Sequence, residues 1–213
     1  MKKLFFLYFF SVLLCLSAHS SNAVEEITVT TFQDLKTALE NSKGSNVKLG
    51  ASIKVPSNYG SEIAIEIRSG EHFLNLNGFN IEYYYTNNAR EYDGVPIFAD
   101  SNLTINGEGT ITGGYVALQA SNHGLITLNG GNYVAKAASG IRVQGPIIIN
   151  KGTFSGRFGQ IWLEGGMVVD NANAIHDIDY TFNRGGVVIK NGVATGKTQL
   201  ERVQVSLSNI TMA

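Results

Sequence analysis

Cysteine is almost missing from this chain. The single copy, Cys15, lies inside an apolar N-terminal run, so the remaining residues can form no internal disulfide. Such a chain must be held by burial and backbone hydrogen bonds, and about 190 residues suffice for one well-buried domain. Proline is scarce, with 3 copies against 24 glycines, which excludes a proline-rich linker and suits a sheet that bends often but cannot spare amide donors. Charge is thin as well, with 16 basic and 17 acidic residues and a net charge of −1. No basic run argues for nucleic acid, and no basic amphipathic helix argues for a membrane surface. The only long apolar run, Leu4 to Leu16, is too short for a dependable membrane span. Lys2 and Lys3 precede it and Ser21-Asn22-Ala23 follows, so residues 1–23 read as a secretory signal cleaved before Val24. The expected location is secreted, periplasmic or at the cell surface. Loss of the two lysines would leave 14 basic against 17 acidic residues.

What is present is a repeat. An apolar-x-apolar pair followed by a polar residue occurs seven times, ending at Asn77, Asn106, Asn129, Asn150, Asp170, Lys190 and Ser208. The steps are 29, 23, 21, 20, 20 and 18 residues, which points to stacked repeats. The position after the polar residue holds Gly78, Gly107, Gly130, Lys151, Asn171, Asn191 and Asn209, mostly the two types that enter the left-handed region most cheaply. Each repeat therefore contains a strand, a forced bend and a second strand, with Ile81, Ile111, Val134, Phe154 and Ile175 as the inward row after the bend. A third strand carries Ile65 and Ile67, Val116 and Leu118, Ile141 and Val143, Ile161 and Leu163. Three short strands per coil, each with an inward apolar row, describe an all-β, single-stranded parallel β-helix of about seven coils.

The phrases ITLNGGNYVA and IIINKGTFSG, one coil apart, resemble the pectin-lyase-like right-handed parallel β-helix superfamily over roughly residues 46–210. The column Asn77, Asn106, Asn129, Asn150 is similar to its asparagine ladder, where stacked amides satisfy buried backbone and one another. The resemblance implies a right-handed helix, but that superfamily includes lyases, hydrolases, isomerases, tailspikes and adhesins, so it leaves the function open.

Residues 24–45 differ from the repeats. Thr31 suits an N-cap with Asp34 three residues on, and Phe32, Leu35, Ala38 and Leu39 recur at helical spacing until Lys43-Gly44. After a short β stretch, one amphipathic helix here reads as an N-terminal cap on the solenoid occupying 46–213. No matching cap is evident after Val205, so self-association through the C-terminal coil is one expectation. The long first step carries an insertion, IEYYYTNNAREYDGVP, whose Tyr83, Tyr85 and Tyr92 could stack on sugar rings from a loop; alternate tyrosines could equally pack inward.

Alternation along the third strand sends Glu66, Arg68, Gln119, Arg142, Gln144, Trp162 and Glu164 outward, with Asp100 beside them. In catalytic members of the superfamily this chain resembles, the substrate groove runs along this row. An aromatic platform among planar hydrogen-bonding groups has the components of a saccharide site, and Gln119, Arg142, Gln144, Trp162 and Glu164 are its expected ligand contacts. The same residues also suit a solvated sheet face crossed by ion pairs.

Catalytic constellations are weak. Glu66, Asp100 and Glu164 lie several coils apart, too far to share a Ca²⁺ at Ca–O distances of about 2.4 Å. Asn122-His123-Gly124 looks like part of a polygalacturonase motif, but the aspartate pairs that accompany that motif are missing, and so is the Arg-x-Pro-x-x-Arg pattern of pectate lyases. Asp170-Asn171-Ala172-Asn173 begins like a calcium loop, yet Ile175 stands where glycine is needed. No cofactor or metal is expected. The residues favour a carbohydrate-binding or adhesin-like module over a small polysaccharide lyase or glycoside hydrolase, with a structural subunit as a further alternative.

Overall fold

A computed structural model describes residues 25–56, 59–87, 90–157 and 159–164, together with four further strands between 167 and 212. The segment read as a secretory signal, the Asp170–Asp179 cluster apart from Asp170, and the repeat at Val205 lie outside the described residues, as does Ile175.

Along the chain the elements are β1 (Glu26–Val29), α1 (Phe32–Leu39), β2 (Ser45–Leu49), β3 (Ile53–Lys54), β4 (Ile63–Ile67), β5 (Glu71–Asn75), β6 (Ile81–Tyr83), β7 (Tyr85–Asn87), β8 (Arg90–Asp93), β9 (Val95–Ala99), β10 (Asn102–Gly113), β11 (Leu118–Ala120), β12 (Ile126–Ala135), β13 (Ser139–Val143), β14 (Ile147–Ser155), β15 (Gly159–Leu163), β16 (Met167–Asp170), β17 (Val187–Lys190), β18 (Val193–Thr195) and β19 (Thr211–Met212). One sheet runs β1-β2-β5-β10-β12-β14-β16-β17-β18-β19 and a second runs β4-β9-β11-β13-β15. Pairing within both is parallel except at β17–β18, which is antiparallel, so the chain reverses after Lys190 where continued repetition is expected. This is an all-β architecture with parallel sheets, consistent with a parallel β-helix.

The inward rows come from the apolar pairs of the repeat. Val47, Leu74, Ile105, Leu128 and Ile149 are successive register partners, and all are fully buried. Facing them from the second sheet are Ile65, Ile97, Leu118, Ile141 and Ile161, all buried in the same core. Strands that bury one apolar row against another are the unit of stability here, since each buried side chain of this size contributes about 1.5–3 kcal/mol.

Three sequence expectations are corrected by register. Asn106 lies opposite Asn75, not Asn77, because β5 pairs two residues earlier than the repeat phrase suggests and places His72 beside Leu103. Asn77 instead adopts a left-handed backbone with φ of 51° and sends its amide to the Leu49 carbonyl at 3.0 Å. The inward residue after the bend in β12 is Tyr133, not Val134, because β10 carries one extra residue between Gly107 and Thr110. Tyr133 is fully buried and stacks on Phe154 with centroids 5.2 Å apart. Asp170 pairs with Ile149 and not with Asn150, since β16 is offset by one residue along its whole pairing with β14, from Ile147 opposite Val168 onward.

Asn106, Asn129 and Asn150 do join side chain to side chain, at 2.8 Å per step, but they do so on the outside of the sheet. The amides satisfy one another there.

Helix α1 begins as expected. The Thr31 hydroxyl accepts from the Asp34 amide at 3.2 Å, and Leu35, Ala38 and Leu39 enter the core beside β2 and β4. It stops at Leu39, earlier than expected, where the Asn41 side chain captures the Lys43 amide in a local turn.

Candidate functional site

The outer face of the second sheet sets the site. Glu66, Phe98, Gln119, Arg142 and Trp162 are consecutive register partners across β4, β9, β11, β13 and β15. Asp100, Gln144 and Glu164 follow one residue after the inward positions, each with its amide bonded to the coil before it, at 2.7, 2.9 and 2.8 Å. The sequence reading missed Phe98, because the strand that follows the insertion was not placed in the third-strand row; only Val95 and Pro96 of β9 belong to the insertion. Val95, Ile97 and Ala99 alternate there, which is the signal that could have found it.

Arg142 is the centre of this row. Its Nη2 donates to both oxygens of Glu164, at 2.9 and 2.8 Å, and Gln144 Nε2 donates to the same carboxylate at 2.7 Å. The guanidinium lies over the Trp162 ring, 4.6 Å from its centroid, and Tyr115 meets that ring edge-on at 6.4 Å. The Arg142 and Glu164 side chains are only 23% and 15% exposed, so this pair is screened far less than a surface pair. Arg142 Nε is buried and bonds to no described residue. The arginine is therefore clamped at one nitrogen and unsaturated at another.

That arginine lines a surface hollow of about 340 Å³, together with Tyr115, Gln119, Asp93, Glu62 and the apolar Ile63 and Val95. Trp162 does not line it. One face of its ring is covered by Arg142, and the aromatic ring that lines the hollow is Tyr115, which the sequence reading did not single out. Tyr115 follows Gly113-Gly114, where a Cβ would meet the Val116 and Asp93 carbonyls, and this close approach is what delivers the tyrosine to the hollow.

The remaining predicted residues fall elsewhere. Tyr83 is fully buried and donates its hydroxyl to the Ser61 carbonyl, because Ile81 and Tyr83 share the inward phase of β6; it is not a ligand contact. Tyr85 and Tyr92 belong to an antiparallel pair, β7 with β8, and their side chains lie outside the described residues. Asp100 gathers Ser121 and His123, whose Nδ1 is 2.7 Å away. The Ser121 hydroxyl first, then His123, holds the Asp100 carboxyl below the usual carboxylate range. Ser121 donates to the aspartate and not to the histidine, so this trio lacks the histidine-to-serine hydrogen bond of an acyl-transfer triad. Among the described residues no group of three His, Cys, Asp or Glu side chains gathers as a metal site. No helix is long and apolar enough to cross a membrane among those residues.

Comparison with known proteins agrees with this architecture. The family model described as "Putative pectate lyase-like adhesive domain" matches residues 26–213. No curated protein and no solved structure gives a match. With nearly the whole of the chain after residue 25 covered by the match, this protein belongs to the pectate lyase-like adhesive domain family.

Proposed function

We propose that this protein is a glycan-binding, adhesin-like module, secreted or displayed at a cell surface, that binds sugar in the hollow formed by Tyr115, Gln119 and Arg142. The observation that carries the reading is Arg142 itself, held by Glu164 and Trp162 while it lines the hollow. A pre-organised planar donor beside an aromatic ring and an amide is the combination that recognises a sugar's hydroxyls and its apolar face. The scaffold in this reading is a right-handed β-helix of about seven coils whose first end is covered by α1, with the site along one sheet.

Binding is favoured over catalysis by the use of the carboxylates. Glycoside hydrolysis needs a carboxylic acid and a second carboxylate poised across one bond. Glu164 is engaged by Arg142 and Gln144, and Asp100 by Ser121 and His123, so these two are held as hydrogen-bond partners, and product release is the measure for the hollow's own carboxylates, Glu62 and Asp93.

The test is a glycan array probed with the purified protein and with Arg142→Ala and Gln119→Ala, each variant first checked by near-UV circular dichroism. The wild type should bind a defined subset of glycans without releasing products, and both variants should lose at least about tenfold in affinity. Binding that survives both substitutions, or an array without hits, would refute the reading.

A further inference from the structure

A second hollow of about 350 Å³ lies where α1 meets β4, lined by Lys36, Glu40, Tyr59, Ser61, Ile63, Glu66 and Arg68. Ile63 lines this hollow and the first one alike, so the two are neighbours on the same face. Tyr59 forms part of its wall. The ring packs edge-on against Phe32 at 5.1 Å and Tyr83 at 6.2 Å, which fixes it between helix and sheet. The helix is tied to the strand at this point, for the Glu40 carboxylate accepts from the Glu66 amide at 2.9 Å and Lys36 donates to the Ala64 carbonyl at 3.1 Å.

The charges in the two hollows are already matched. Lys36 is paired with Glu40, Arg68 with Glu66, and Arg142 with Glu164, and Glu62 adds a further carboxylate to the lining. Among the described lining residues three cations therefore meet four carboxylates, and each of the three is already paired. A polyuronate would bring one negative charge per sugar into a trough already rich in carboxylates, with like-charge repulsion at every step. An uncharged sugar meets no such penalty and finds hydrogen-bonding groups and two tyrosines along its path.

We infer that the two hollows are subsites of one trough that takes an extended, uncharged polysaccharide chain, with the helix–sheet junction at Tyr59 as the second subsite; this rests on the glycan-binding reading of the first. The lining spans three strand-to-strand steps of the sheet, from Ile63 on β4 to Arg142 on β13, about 14 Å, and α1 extends the trough past β4. That length accommodates several linked rings, so affinity depends on chain length and not on one terminal sugar.

The experiment is calorimetric titration of the full protein with cello-, malto-, manno- and xylo-oligosaccharides from the monosaccharide to the hexasaccharide, with oligogalacturonides as the charged comparison. The expected result is affinity for a neutral series that rises at least about tenfold with length, and weaker binding of oligogalacturonides at low than at high salt. Tyr59→Ala should collapse the gain with length. Because Tyr59 also packs on Phe32 and Tyr83, Arg68→Ala, on an exposed side chain, is the second variant and should also reduce the gain. Length-independent binding, or oligogalacturonides binding more tightly than every neutral series, would overturn the inference while leaving a glycan site in the first hollow. Absence of binding to any series would overturn both.

Discussion

Arg142 draws its directionality from groups that a substitution can remove one at a time. Glu164→Gln keeps the shape of the side chain and removes the charge that holds the guanidinium. The expected result is a loss of about tenfold in glycan affinity, accompanied by a change in Trp162 fluorescence as the arginine leaves the ring. A fluorescence change without a loss of binding would show that the clamp is structural only. His72 is the other residue with a measurable consequence. It is fully buried, its Nδ1 lies 2.9 Å from the Ser45 hydroxyl and its Nε2 lies 2.9 Å from the Ser69 carbonyl. Burial pushes its pKa below the ordinary histidine value, partly offset by the Ser69 carbonyl. The folded state therefore binds fewer protons than the unfolded state in acid. Stability is fully present above the unfolded value of about 6.5, and is lost as pH falls from there toward the folded value. Denaturant titrations between about pH 5 and pH 8 should show that fall, and His72→Leu should flatten it whatever its effect on absolute stability.

At the scale of the element, the bend after each first strand is where the chain has least freedom. Gly109, the extra residue of β10, has φ of 143° and would place a Cβ 2.2 Å from the Phe79 carbonyl. Gly109→Ala should destabilise the fold by about 1–3 kcal/mol, measured by chemical denaturation, and a neutral result would mean that the bulge can relax. The residue that the bulge brings inward is Tyr133, whose hydroxyl reaches the Gly130 carbonyl at 3.1 Å and whose ring lies nearly parallel to Phe154. Tyr133→Ala should be costlier, at about 3–5 kcal/mol, because it opens a cavity in the middle of the stack. Tyr133→Phe removes only the hydroxyl and should lose no more than about 1.5 kcal/mol.

For the whole molecule, stability passes from coil to coil, and α1 is the only helix among the described residues. Its Leu35 and Leu39 are fully buried against the first coil. Leu35→Ala should cost about 2–5 kcal/mol, and amide exchange should quicken first in β2 and β4, the strands that the helix touches. Uniform loss of protection from β2 to β14 would show instead that the stack unfolds as one unit.

Several features were legible in the residues alone. The period of about twenty, the inward pairs Leu103–Ile105, Ile126–Leu128 and Ile147–Ile149, and the outward set Gln119, Arg142 and Trp162 all follow from side-chain alternation, which depends only on local backbone geometry. Register does not. A shift of two residues keeps every side chain on its face, so alternation could not tell Asn75 from Asn77 as the partner of Asn106. A bulge shifts the face by one, and the single extra residue in β10 exchanged Val134 for Tyr133. The tertiary structure alone decided that β9 belongs to the second sheet, that Arg142 covers Trp162, and that Tyr115 and Tyr59 wall adjoining hollows. Those arrangements arise between coils some twenty residues apart, where hydrogen bonding between neighbouring strands, and not the pattern within one strand, sets which side chains meet.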